Sequence, residues 1–297
     1  MEKNNPGEKM KVYEALKWAS SFLEEHGYEA AIGEILLRHH TGWSRTRLFS
    51  ENQSELSRGV LELFQADVEK SVGGVPVQHL TGEESFYGRT FQVTSDTLIP
   101  RPETEELVEA VLEKLSSLEK MEEDGPVRIV DVGTGSGIIA ATLALELEGQ
   151  AAVTAVDISA GALKVAEANS RRLGAKVRFL EGDLLRPLIE AGEKVRAVVS
   201  NPPYIPEGDR HSMKENVVGH EPELALFAGE DGLSVYRKLV KQIPEVLDAP
   251  GLIAFEIGHG QGKAVKSLIL ETFPDAEAEV RLDINGKERI VLALIMS

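Results

Sequence analysis

From Val127 onward, short runs rich in β-branched residues alternate with helical stretches, and this alternation constrains the fold more than any other feature of the chain. The strand-like runs are Val127–Val132, Ala152–Val156, Val177–Leu180, Val195–Ser200, Leu252–Ile257, Glu277–Leu282 and Arg289–Ile295. Helical periodicity covers Ile138–Leu147, Ala160–Leu173, Leu233–Leu247 and Gly262–Phe273. Parallel neighbours cannot be joined by a tight turn, so each helix is read as a crossover that covers a face of the sheet. The last two runs lie too close for a crossover and are expected to form an antiparallel hairpin. The expected class is α/β, with a seven-stranded, mainly parallel sheet and an antiparallel last strand.

The first part of the chain has a different pattern. Val12, Leu16, Ala19 and Leu23 recur at helical spacing ahead of Gly27, a natural stop. Ile32, Ile35 and Leu36 make a second apolar stripe, and Leu56, Val60, Leu63 and Phe64 a third, which together predict a small all-helical bundle. From Pro76 the period changes to two through Phe86, Tyr87, Gly88, Phe91 and Val93, as in a β-hairpin. Pro100 and Pro102 then open a helix whose first turn holds Glu103, Glu105 and Glu106, where negative charge favours the positive end of the helix dipole. The expected division is a helical domain over residues 1–75, a hairpin connector over 76–97 and an α/β domain over 98–297.

Composition narrows the function classes. The chain has 297 residues, a net charge of −17 and no cysteine, which removes disulfide scaffolds and thiolate zinc sites. A chain this acidic is poorly suited to gripping a nucleic-acid backbone, since phosphate contacts need Lys or Arg. Met1 to Met10 carries no apolar run of the signal-peptide kind, and no run of 18 apolar residues occurs, so the expected location is the cytoplasm with no membrane span. The seven histidines, including adjacent His39 and His40, lack partners at metal-ligand spacing, and no metal is expected.

The chemistry concentrates at the ends of successive strands. The first strand runs into Asp131-Val132-Gly133-Thr134-Gly135-Ser136-Gly137 and then a helix, so a ligand can approach the backbone where a Cβ would block it. The GxGxG spacing, without a following Lys-Ser/Thr pair, disfavours a P-loop and weakens a dinucleotide reading. Asp157 ends the second strand, where a carboxylate can accept from both hydroxyls of a ribose, with Ile158 beside it. Ser159 can cap the following helix in its place. After the third strand, Asp183 and Leu184 offer an acceptor and an apolar surface suited to an adenine amino group and ring.

This succession resembles the class I S-adenosylmethionine-dependent methyltransferases, with their Rossmann-like sheet, and the resemblance covers most of Val127–Ser297. It implies S-adenosyl-L-methionine as cofactor, held by Asp131, Gly133, Thr134, Gly135, Ser136, Gly137, Asp157, Ile158, Asp183, Leu184 and Asn201. The fourth strand ends in Asn201-Pro202-Pro203-Tyr204. A planar NH2 group has two hydrogens to donate, and this stiff loop can present two acceptors, the Asn201 side-chain oxygen and the Pro202 carbonyl. Tyr204 can stack on the planar group. The four residues resemble the signature of methyltransferases acting on nitrogen conjugated to a planar system, in adenine, cytosine or a glutamine amide. Catalysis of that kind rests on orientation and pre-organised electrostatics and needs no strong base.

Further motifs choose among these acceptors. Pro76–Gly82, Phe86-Tyr87-Gly88 and Leu98-Ile99-Pro100-Arg101-Pro102-Glu103-Thr104-Glu105 resemble the segment preceding the catalytic domain of the peptide chain release factor glutamine methyltransferases. Glu221–Leu226, Gly229, Gly232, Leu233 and Tyr236-Arg237 match that family, as do Phe255-Glu256-Ile257-Gly258 and Gln261-Gly262, so the resemblance spans essentially the whole chain. His79 and His220 stand where the family often has Tyr. The resemblance implies methylation of the glutamine in the Gly-Gly-Gln loop of class I release factors. It assigns the substrate side to Asn201, Pro202, Pro203, Tyr204, Arg101 and Glu103. The helical domain is expected to dock the substrate in preference to serving only as a stabilising cap. The expected enzyme is a monomer that does not itself hold nucleic acid. A glutamine methyltransferase of a large-subunit ribosomal protein shares Asn-Pro-Pro-Tyr but differs in the Pro100–Glu105 segment. An adenine-N6 DNA methyltransferase conflicts with the charge, a dehydrogenase with the glycine spacing, and a non-catalytic binding module with the intact Asn201–Tyr204 loop. An acidic surface is suited to a basic loop that normally enters RNA.

Overall fold

A computed structural model describes residues 9–118, 125–212 and 219–296. Met1 to Glu8, the larger part of the stretch read for a signal peptide, lies outside the described residues. Two compact units emerge, one from Met1–Gly82 with Lys214–His220, the other from Glu83–Met213 with Glu221–Ser297.

The first unit contains α1 (Val12–Glu25), α2 (Ala31–Thr41), α3 (Arg45–Ser50), α4 (Arg58–Val72) and α5 (Val77–Thr81). Ser44 and Ser57 cap α3 and α4 by accepting from the backbone N–H groups of Arg47 and Val60. The chain leaves α1 through Gly27, whose φ of 81° suits the expected stop. Val12, Ala19, Leu23, Leu36 and Phe64 enter the core. Two positions of the expected stripes do not: Ile35 and Leu63 are exposed, while Leu37, Leu61 and Val68 are buried in the same cluster. Several apolar residues lie side by side there, so periodicity located the stripe but not its centre. Gly33 lets α2 close on α1, since a Cβ there would sit 2.9 Å from the Ala19 Cβ. The two-residue period expected from Pro76 starts later, because Val77–Thr81 is a helical turn closed by Gly82.

The second unit opens with a hairpin, β1 (Glu83–Phe86) and β2 (Arg89–Gln92), turning through Tyr87 and Gly88. Both turn residues have positive φ, 50° and 70°, the geometry that matches the right-handed twist of a two-residue hairpin. Phe86 and Phe91 enter the same core cluster as Leu107 and Ile139, so the hairpin is integral to the sheet's core. The main sheet comprises β3 (Val127–Val132), β4 (Ala151–Asp157), β5 (Val177–Glu181), β6 (Val195–Ser200), β7 (Leu247–Glu256), β8 (Glu277–Leu282) and β9 (Glu288–Ile295), in the order β5-β4-β3-β6-β7-β9-β8. Among the described residues of this sheet only β9 runs antiparallel to its neighbours, and it lies between β7 and β8.

One face of the sheet is covered by α6 (Glu103–Leu118) and α7 (Ile138–Glu146), whose Leu107, Val111, Ile139 and Leu143 share a cluster with Ile129, Ala155 and Val199. On the other face Tyr236 and Leu239 of α10 (Ser234–Gln242) and Val265 and Ile269 of α11 (Gly262–Thr272) meet Val130, Val198 and Phe255. The linking helices α8 (Ala160–Leu173) and α9 (Arg186–Ala191) follow β4 and β5. Strand β7 begins at Leu247, five residues before the expected start, because Pro244 ends the helical run early. From β3 the chain winds outward through β4 and β5, then returns to β6 beside β3 and winds the other way. The crevice beyond the carboxyl ends of β3 and β6 is therefore the topological switch point, where open α/β sheets bind ligands. Among the described residues no helix is long and apolar enough to cross a membrane.

Candidate active site

A cleft of about 390 Å3 lies at this switch point, within the size range of small-molecule sites. The loops after β3, β4, β5 and β6 all reach it, and Gly133, Asp157, Asp183 and Asn201 line it together. Thr97 to Arg101 and Pro222, Leu224 and Ala225 complete its walls.

The glycine loop is shaped by three residues in the left-handed region, Gly133, Gly135 and Gly137, with φ of 72°, 57° and 82°. Gly133 and Gly135 face open space where their Cβ atoms would be, as a backbone that cradles a ligand requires. At Gly137 a Cβ would lie 2.9 Å from that of Ala166 on α8, so this glycine serves helix packing and does not line the cleft. Asp131 is also behind the wall and wholly buried. Its Oδ2 accepts from the Thr134 hydroxyl at 2.6 Å and from the Ala140 N–H at 3.1 Å, at the positive end of α7. Its Oδ1 has no hydrogen-bond partner among the described residues, and burial pushes its carboxyl up to about 7.

Asp157 is buried at the cleft edge, with the Gly135 N–H donating to Oδ2 at 2.8 Å and the Ser159 N–H to Oδ1 at 2.9 Å. These bonds work against burial, which on balance raises its pKa. The carboxylate keeps acceptor capacity for a ligand. The capping role falls to Ser159, whose hydroxyl accepts from the Ala162 N–H at 3.2 Å. Ile158 is exposed on the cleft wall. Asp183 and Leu184 line it too, and Leu184 holds a positive φ of 56°, a strained conformation for a branched residue. Gly182 just before them is required sterically, because its Cβ would fall 2.3 Å from Cγ of Pro187.

Asn201, Pro202 and Pro203 line the cleft. The Asn201 Nδ2 donates to the Thr104 hydroxyl at 3.2 Å, and that hydroxyl donates to Oε2 of buried Glu256 at 2.7 Å. Tyr204 is placed differently from the stacking role expected of it. Its ring packs with the sheet cluster beside Gly258, outside the cleft lining, and burial pushes its hydroxyl up to about 12. Its carbonyl anchors the loop by accepting from Gln261 Nε2 at 2.9 Å, while Gln261 Oε1 accepts from the Gly258 N–H at 2.9 Å. Gly232 must be glycine there, since its φ is 73° and a Cβ would lie 2.2 Å from the Tyr204 oxygen.

Arg101 lines the cleft with its guanidinium held 2.5 Å from buried Glu221, which also accepts from the Ile99 N–H at 3.3 Å. Glu221 thus pins the 99–101 segment to the cleft wall. Glu103 does not line the cleft; its neighbour Thr104 does. Of the first-turn carboxylates, Glu105 accepts from the Tyr87 N–H at 2.6 Å and Glu106 from the Ile284 N–H at 3.2 Å. Sequence reasoning did not single out Thr104, Glu256 or Gln261 individually, nor Asn169. Asn169, wholly buried on α8, exchanges hydrogen bonds of 2.7 and 2.9 Å with the Gln92 backbone and donates to the Ser136 carbonyl at 2.9 Å, tying the hairpin to the glycine loop. The only trace of it in the sequence is a polar residue on a buried helical face.

Two family models match the chain, the PrmC N-terminal domain over residues 14–82 and the methyltransferase small domain over residues 114–224. The fold is that of the human Mettl16 catalytic domain, solved in complex with MAT2A 3′UTR hairpin 6, at a TM-score of 0.53 and 14% identity over 71% of this chain and 77% of that one. The release factor glutamine methyltransferase of Bacillus subtilis (strain 168) is 51% identical over 96% of this chain and 98% of its own length. That of Bacillus anthracis is 48% identical over 96% and 100%. With identity at this level across nearly the full length of both chains, and a cleft at the switch point of a methyltransferase fold, the chain belongs to the release factor glutamine methyltransferase family.

Proposed function

We propose that the chain transfers a methyl group from S-adenosyl-L-methionine to the side-chain amide nitrogen of the glutamine in the Gly-Gly-Gln loop of class I peptide chain release factors. The observation that carries this reading is the shared cleft. Asn201, Pro202 and Pro203 line the same space as Gly133, Asp157 and Asp183, so an amide and a nucleoside cofactor can meet there.

The residues present fit such a cofactor. The open faces of Gly133 and Gly135 suit close approach of its amino-acid part, the remaining acceptor capacity of Asp157 suits a ribose hydroxyl, and Asp183 with Leu184 suits adenine. When bound, the cofactor supplies an electrophilic methyl group on a sulfonium. An amide nitrogen is a feeble nucleophile, because its lone pair is delocalised into the carbonyl. Asn201 Oδ1 and the Pro202 carbonyl accept the two amide hydrogens, holding the nitrogen in place and favouring its pyramidalisation. The proton acidifies as the new bond forms and leaves late, so no general base is required. Tyr204 serves as the anchor of this loop through its carbonyl and its packed ring.

The division into a substrate-docking domain over residues 1–75, a hairpin connector over 76–97 and a catalytic domain over 98–297 belongs to the same reading. It is supported by a family model for an N-terminal domain that ends at residue 82. The enzyme acts as a cytoplasmic monomer, and its net charge of −17 favours a basic loop over direct nucleic-acid contact. The relatives' names favour a release factor over a ribosomal protein as substrate.

The test is methyl transfer to purified release factor and to a variant lacking the loop glutamine, read by intact mass and peptide mapping. Asn201→Ala is expected to lose at least ~100-fold in kcat while still binding cofactor. Wild-type turnover by that variant would refute the acceptor geometry.

A further inference from the structure

Asn201 can hold a substrate amide only if its own amide is turned the right way. With Oδ1 toward the substrate it accepts a hydrogen; rotated by half a turn, it presents NH2 to NH2 and repels the group it should hold. The two orientations have nearly the same shape, so packing alone does not choose between them. Hydrogen counting does. The Thr104 hydroxyl has one hydrogen, and it goes to Oε2 of Glu256 at 2.7 Å. What remains on that oxygen is lone pairs, which only a donor can face. Asn201 Nδ2 meets them at 3.2 Å, leaving Oδ1 as the prong directed away from Thr104.

We propose that Glu256 and Thr104 form a polarity relay that locks Asn201 with its carbonyl oxygen available to the substrate amide, making both of them positioning residues for methyl transfer. The proposal rests on the reading of Asn201 as the amide-holding group. The relay is rigidly built. Glu256 is 1% exposed at the end of β7, and its main-chain carbonyl accepts from the buried Tyr236 hydroxyl at 2.6 Å. Thr104, also 1% exposed, is fixed in the first turn of α6. A carboxylate suits the start of the relay because, when ionised, it only accepts.

The direction of the relay depends on that ionisation. Burial pushes Glu256 up to about 7, against the hydrogen bonds from Thr104 and Asn201 and the charge of Arg289. A protonated Glu256 can donate to Thr104, freeing the threonine hydrogen to seek the Asn201 oxygen and turning the amide around. The groups facing Glu256 are Thr104 and Glu103 from α6, Arg289 from β9, Asn201 and Tyr204 from the loop after β6, and Tyr236 from α10. Burial holds the Tyr204 hydroxyl up at about 12 and the Tyr236 hydroxyl well above its ordinary value, and the arginine stays charged, so none of these three reverses near neutrality. Asp131, also raised to about 7, can take its proton on Oδ1, which has no hydrogen-bond partner among the described residues, and keep both bonds to Oδ2, leaving the glycine loop as it is.

The experiment is steady-state methyl transfer to purified release factor with both substrates varied. Thr104→Val keeps the shape but removes the hydroxyl. It is expected to lower kcat about 30-fold with KM for S-adenosylmethionine unchanged, and Thr104→Ser to restore kcat to within about threefold. Wild-type kcat in Thr104→Val beside an inactive Asn201→Ala overturns the relay alone, and so does an effect confined to KM. Wild-type kcat in Asn201→Ala overturns the underlying reading of the site. Should Thr104→Val not fold, Glu256→Gln decides. Wild-type kcat is expected to rise from about pH 6 to about pH 8 and Glu256→Gln to lack that rise; an equal rise in the variant, or no rise in wild type, overturns the proposal.

Discussion

Gly232→Ala tests whether the Asn201–Tyr204 loop acts through its exact placement, because the altered residue does not line the cleft. A Cβ at position 232 would lie 2.2 Å from the Tyr204 carbonyl oxygen and 2.7 Å from Gln261 Nε2. An ordinary carbon–oxygen contact is about 3.3 Å, so the carbonyl must retreat by about 1 Å. The carbonyl is main chain, three residues from Asn201 on a proline-stiffened loop, so the shift cannot be absorbed by a rotamer change. It also disturbs the Gln261–Tyr204 bond that anchors the loop. The φ of 73° adds about 1 kcal/mol of backbone strain for alanine. A misplacement of about 1 Å at a reacting group costs on the order of 100-fold in rate. The expected outcome is a folded protein whose Tm falls by a few degrees, whose cofactor affinity is near wild type and whose kcat falls on the order of 100-fold. Calorimetry, cofactor titration and intact-mass turnover with release factor measure the three quantities separately. A kcat within threefold of wild type would show that the loop tolerates an ångström of displacement and would refute a role for its exact placement.

Two further perturbations probe the cofactor side. Asp157→Ala removes the acceptor for Gly135 and the proposed ribose contact, and is expected to weaken S-adenosylmethionine binding about 10- to 100-fold; an unchanged Kd by calorimetric titration would contradict the assignment. Asp131→Asn tests the buried carboxyl. Because its pKa is raised from 3.8 to about 7 in the fold, the folded state holds the proton more tightly than the unfolded chain, and ionisation weakens the protein as pH rises between those values. The stability of Asp131→Asn relative to wild type should therefore grow toward neutral pH, with a slope of at most about 1.4 kcal/mol per pH unit. Urea unfolding at several pH values checks this, and parallel curves for the two proteins would rule it out.

Several elements were legible because the determinant is local. The GxGxG turn, the Asn201–Tyr204 loop and the strand and helix alternation depend on backbone freedom, chain stiffness and side-chain period, all written in short stretches of sequence. Asp157 and Ser159 could be assigned distinct tasks because a strand end followed by a helix start offers few others, and the cap falls to Ser159. Tyr204 and Glu103 show the limit. Each lies beside cleft-lining residues, yet the ring of one turns into the sheet cluster and the other leaves its place on the wall to Thr104. Adjacent residues on a loop or helix point in different directions, and only packing fixes which direction faces the cleft.

By itself, then, the sequence determined the α/β class and the placing of the glycine turn and the Asn201–Tyr204 loop at strand ends. The tertiary structure decided how distant segments are brought together: β9 between β7 and β8, Glu221 on Arg101, Gln261 on Tyr204, and Glu256 and Thr104 on Asn201. These partners lie between 57 and 152 residues apart where a hydrogen bond joins them. No local period encodes such a pairing. It exists because sheet order places the strand ends side by side, and because buried polar groups, denied water, must find one another.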